Sequence, residues 1–161
     1  MVWTQAKEKT KEEIEARLKV IGGDMLKVEY LGNCLKQQLD FNVRRFVHLK
    51  LADIYKSLSM HDQAARNIDA FADLAATFKD KSQSYMQEVE LWVKYGDYDK
   101  ADEAFKKASA CASLKEKEEI KQQLKKFFLG KAYELERMHQ KLKYYQTLPN
   151  LRTIWDLLIK C

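Results

Sequence analysis

An all-α fold of stacked antiparallel helical hairpins is what this sequence predicts, on three observations. Chain breakers are scarce: 161 residues hold one proline, Pro149, and five glycines, which favours helices joined by short turns. Apolar residues return every three or four positions along most of the chain, the period of a helix with one buried face. Finally, the hairpin-like stretch Trp92 to Ala108, which turns at Gly96, has echoes upstream. Gly22, Ser59 and Gly96 stand 37 residues apart, with Leu18, Tyr55 and Trp92 four before each. Such self-similarity marks stacked supersecondary units. A single hairpin cannot cover its own apolar face, so neighbours stack to build a continuous core.

The elements follow in order. A charged helix is expected over about 4–21, with Ile14, Leu18 and Ile21 on one side; Thr10-Lys11-Glu12-Glu13 has capping-box spacing but falls inside it. Gly22-Gly23-Asp24 stops this helix and starts the next, whose stripe is Met25, Val28, Leu31, Leu35 and Leu39. Asn42 is a plausible cap for a third helix over about 43–58, with Phe46, Val47, Leu51, Ile54 and Tyr55 inward. After a turn at 59–62, an alanine-rich fourth helix reaches about 77, its small side chains allowing close helix–helix approach. Lys79 to Ser82 reads as a polar turn before helix five, about 82–95. Helix six then runs from Tyr98 to near Cys111, with Tyr98, Ala101, Phe105 and Ala108 sharing a side with Trp92. A long seventh helix spans about 115–140. A short helical or irregular piece to Leu148, a break at Pro149-Asn150 and an apolar helix over 151–159 complete the sequence.

The repeat extends beyond the turns. Ala64 and Ala101 lie five residues after two of them, where the first unit has Lys27. Leu31, Ile68 and Phe105 lie nine after, and Cys34, Phe71 and Ala108 twelve after. Tyr95-Gly96-Asp97-Tyr98-Asp99-Lys100-Ala101, continued by Phe105 and Ala108, resembles the turn and second helix of a tetratricopeptide repeat. Ala52, Tyr55, Ala64, Ile68 and Phe71 resemble a weaker copy. Departures are plain: Lys27 in the first unit, no inter-repeat proline, and a period of 37 where about 34 is usual. In this it is similar to the extended repeats of soluble attachment proteins in vesicle fusion. The resemblance implies a right-handed superhelix in one domain, an α-solenoid, with hairpins over about 4–39, 42–78 and 81–112 and capping helices over about 114–160.

Composition narrows the class of function. Hydrophobic residues at 46% and charged residues at 33% fit a folded chain rather than a disordered one. No apolar run approaches the roughly 18 residues of a membrane span. Three cysteines, odd in number and far apart, argue for reduced thiols, and with no secretory-signal layout at the N-terminus the expected location is cytoplasmic. Phosphate-cradling glycine loops, nucleophile signatures and metal-ligand spacings of His48, His61 or His139 are all missing. The expectation is therefore a non-enzymatic scaffold or adaptor with no cofactor and no metal.

The resemblance implies that first helices of the hairpins line a concave groove holding a peptide or amphipathic helix. The matching positions are Lys19, Phe46, Leu49, Asp53, Lys56, Met86, Glu90, Val93 and Lys94, to which the seventh helix adds Lys126, Leu129 and Tyr133. Leu49 and Asp53 replace the lysine and asparagine that the family uses to clamp chaperone C-terminal carboxylates, which argues against that partner. A rival reading starts from charge. Residues 114–161 carry 11 Lys/Arg against 6 Asp/Glu, which accounts for the whole net charge of +5. Lys121, Lys125, Lys126 and Lys131 stand near Phe127, Phe128 and Tyr133, with Tyr144 and Tyr145 beyond, a pattern that can hold RNA or other nucleic acid. The same aromatics keep helical spacing, which favours core packing. The apolar last helix is a candidate for capping the stack or for self-association.

Overall fold

The computed structural model describes residues 5–137. Among them are seven helices and no strand: α1 Lys11–Val20, α2 Asp24–Leu35, α3 Phe41–Ser57, α4 His61–Asp73, α5 Phe78–Tyr95, α6 Tyr98–Cys111 and α7 Leu114–Arg137. The fold is all-α. The chain divides into two compact units, Met1–Ala75 and Ala76–Cys161. The expected break at 149–150, the helix over 151–159, His139, Tyr144 and Tyr145 lie outside the described residues.

In the first unit, α1 is shorter than its periodicity suggests, and the capping box explains why. The Thr10 hydroxyl accepts from the Glu13 N–H at 3.3 Å, and the Glu13 carboxylate accepts from the Thr10 N–H at 3.2 Å. The box therefore opens the helix rather than lying within it, and residues 5–10 are not helical. Capping of this kind satisfies two donors that the first turn leaves unpaired. At the far end Ile21 is extended and Gly23 has φ +92°, a conformation open to glycine.

The stripe expected for the second helix faces the core except at Met25, with Val28, Leu35 and Leu39 packed against it. Tyr30, Leu31 and Cys34 are fully buried, while Met25 is 59% exposed. They join Ile14, Ile21, Val43, Val47 and Leu51 in one core, with Leu18, Phe46, Ile54 and Tyr55 packed against it. Burial raises the Cys34 thiol pKa, which leaves it a small hydrophobe rather than a nucleophile. Cys111 is half-buried.

Helix α3 starts at Phe41 because Asp40, not Asn42, is its cap: the Asp40 carboxylate accepts from the Asn42 N–H at 2.9 Å. It packs along α4 at close range, where Ala64, Ala65, Ile68 and Ala72 are buried. His48 hydrogen-bonds Asn67 at 3.0 Å, and the Arg45 guanidinium lies 4.2 Å from the Phe71 ring centre. These pairings descend along one helix as they climb the other, so the two run antiparallel. Helix α4 ends at Asp73, before the expected 77.

The second unit contains the other close hairpin, α5 with α6. Thr77 caps α5 by accepting from the Asp80 N–H at 3.1 Å. Lys79 to Ser82 is thus the first turn of the helix and not a loop. Trp92, Tyr98, Ala101, Ala104 and Ala108 are buried, with Phe105 half-buried. The carboxylate of Glu88 is buried too. It accepts from Trp92 Nε1 at 3.3 Å and pairs with Lys107 at 3.4 Å. Helix α7 contributes Ile120, Leu124, Phe128 and Leu135 to the core, with the Phe128 ring 5.6 Å from that of Tyr98.

The repeat is written into the backbone of both close hairpins. Met60 N–H bonds Tyr55 C=O at 2.9 Å and Ser59 N–H bonds Lys56 C=O at 3.1 Å. Thirty-seven residues on, Asp97 N–H bonds Trp92 C=O at 3.0 Å and Gly96 N–H bonds Val93 C=O at 3.2 Å. Both are Schellman C-caps, and their pivot residues share a left-handed conformation, φ 57° at Ser59 and 84° at Gly96.

Candidate groove between α5 and α7

Helices α5 and α7 lie side by side and run parallel. Gln123 Nε2 donates to Gln83 Oε1 at 3.3 Å near their first halves. Further along both, Glu90, Val93 and Lys94 of α5 face Lys126, Phe127, Gly130, Lys131 and Glu134 of α7 across a groove of about 370 Å³. At the other end, Glu116 is held below the ordinary carboxylate range by the Ser113 backbone N–H, then the Ser113 hydroxyl, with a smaller contribution from Lys79. The register is close to one repeat. Lys79 and Glu116, Glu90 and Phe127, Val93 and Gly130, and Lys94 and Lys131 are all 37 residues apart.

The floor of the groove is apolar and its walls are charged. Val93 is 1% exposed and Phe127 half-buried. Lys131 is tied to Glu134 at 3.2 Å. Lys94, Lys126 and Glu90 are exposed and make no ion pair among the described residues. Lys94 has only its neighbour's ring, with the ammonium 6.0 Å from the Tyr95 centroid. Leu129 and Tyr133 are exposed, Tyr133 by 67%, and neither is part of the groove lining. Three residues after Gly130, Tyr133 is its neighbour on the helix surface.

Of the positions expected from the sequence, four meet at this groove: Glu90, Val93, Lys94 and Lys126. Tyr133 is exposed on α7 outside the lining. Met86 is buried in the core with Val89, 2% exposed, and does not line the groove. In the first unit, Lys19 is exposed on α1. Phe46 and Leu49 are half-buried on α3, with the Lys50 ammonium 5.2 Å from the Phe46 ring centre. Asp53 and Lys56 pair with each other at 3.6 Å. Phe127, Gly130, Lys131 and Glu134 are groove residues that the sequence does not announce as such, Lys131 standing only among the basic candidates. The signal for two of them was present, since adding the 37-residue period to Glu90 and Val93 lands on Phe127 and Gly130.

The basic candidates Lys121, Lys125, Lys126 and Lys131 all lie on α7, and only Lys126 is exposed. Helix α7 carries 7 Lys/Arg against 5 Asp/Glu, so most of the C-terminal charge excess belongs to residues 138–161. Among the described residues no group of three or more His, Cys, Asp and Glu could hold a metal ion, and no helix is long and apolar enough to cross a membrane. No family model, no curated protein and no solved structure matches this chain.

Proposed function

We propose that this chain is a tetratricopeptide-like helical-repeat scaffold whose hairpins build a right-handed superhelix, and that it binds a segment of another protein in the groove between α5 and α7. One observation carries the reading: α5 and α7 run parallel in a register near the 37-residue period of the sequence, with Lys79 acting on Glu116 and Gln83 bonded to Gln123. Equivalent helices of successive repeats stack in this way in a solenoid, where each unit contacts its neighbour through the same face. The face left over is concave, with an apolar floor and charged walls, the pattern by which grooves seat helices or extended segments. A non-enzymatic role in the cytoplasm is part of the same reading.

The test is affinity capture from native extract on the full chain, with nuclease treatment as a control. Proteins retained by the wild-type chain should be lost on Gly130→Trp, which fills the groove, while circular dichroism shows the helices intact. Retention by both forms would remove the groove. Retention that disappears with nuclease would point to nucleic acid instead.

A further inference from the structure

We infer that the α5–α7 groove takes an acidic segment of a partner protein, with one large apolar side chain seated over Gly130 and carboxylates on Lys94 and Lys126; this rests on the groove being the binding site. Gly130 lies well inside a 24-residue helix, where glycine weakens the helix relative to alanine. Its backbone does not need glycine, because its φ is not positive. Nor does packing need it: a Cβ at Gly130 would meet no atom within 4 Å. Gly32 of α2 is equally open, but Gly130 lines a groove with Val93 and Phe127 beside it. The missing side chain leaves open space on the exposed wall of that groove, and glycine suits a helix that another chain approaches closely.

Charge selects the occupant. With Lys131 and Glu134 neutralising each other, the walls present Lys94 and Lys126 against Glu90, an excess of cation. An acidic segment completes both lysines, whereas a basic one would meet two like charges. The net charge of +5 steers the same partner by long-range attraction.

The experiment is selection of random 12-residue peptides displayed on phage against the full chain, followed by fluorescence anisotropy on synthetic copies of the winners. Enriched peptides should place Asp or Glu on both sides of a Leu, Ile, Phe or Trp. Their affinity should fall at least tenfold on Lys94→Glu with Lys126→Glu, and at least tenfold on Gly130→Leu, with Gly130→Ala losing less. Basic or uncharged winners, or winners indifferent to the lysine changes, overturn the inference. If those winners still lose affinity on Gly130→Leu, the groove stands as a binding site and only its acidic preference falls. If no peptide is enriched, or if Gly130→Leu leaves binding unchanged, the seat over Gly130 falls as well.

Discussion

The two hairpins α3/α4 and α5/α6 differ from the pair α1/α2 in one interface residue and one turn. In the first two, Ala64 and Ala101 are buried, and each first helix ends in the same Schellman cap. In the third, the equivalent position is Lys27, half-buried and paired with Asp24 at 3.3 Å, and α1 ends in an extended Ile21. Helices α1 and α2 make no comparable close approach. The 37-residue echo at Gly22 thus preserves the spacing of a hairpin without its contact. A repeat needs the small residue as well as the period, because two helices come close only where a side chain is short enough to let them.

Exchanging the decisive residues should expose this most sharply. Ala101→Lys brings the α2 residue into α6, where there is no room and no counter-charge. It is expected to cost about 4 kcal/mol or more and to unfold the second unit in urea titration. Lys27→Ala, the reverse exchange in α2, should change stability by less than about 1 kcal/mol, since it removes only a partly exposed ion pair on one helix. Equal costs for the two would break the comparison.

The turns offer a smaller and cleaner test. Ser59 and Gly96 hold the same left-handed conformation, but serine pays for it in steric strain. Gly96→Ala should destabilise by about 1 kcal/mol, and Ser59→Gly should stabilise by up to about 1 kcal/mol. Midpoints of urea unfolding would read both, and movement in the same direction would contradict the shared geometry.

The smallest effect belongs to the box that opens α1. The N–H groups of Lys9 and Thr10 lower the Glu13 carboxyl below its ordinary value of 4.5. A depressed pKa means that this contribution is fully present above pH 4.5 and is lost as pH falls through the lower folded value. Glu13→Gln should therefore flatten the acid side of the stability profile. An unchanged profile would show that the box is not formed in solution.

The all-helical character of the described residues was legible in the sequence because it rests on periodicity, whereas the groove positions came from the family resemblance. The misreadings were matters of local chemistry. The apolar spacing of Ile14, Leu18 and Ile21 ran on into charged residues that could equally be helix or coil, and only the reciprocal Thr10 and Glu13 bonds decide where α1 begins. The Lys79 to Ser82 stretch looked like a loop because it is polar, yet Thr77 caps it into α5. Met86 was assigned to the groove from a family position, but the phase of α5 places it with Val89 in the core. Gly130 was passed over since a glycine within a helix announces no chemistry. Its place in the groove lining with Val93, one period earlier, emerges only in the fold.

The groove is tested most directly by nuclear magnetic resonance of the full ¹⁵N-labelled chain titrated with a captured partner. The account predicts that amide shifts cluster at Glu90, Val93, Lys94, Lys126, Gly130 and Tyr133. Shifts confined to residues 1–75, or to residues 138–161, would contradict it.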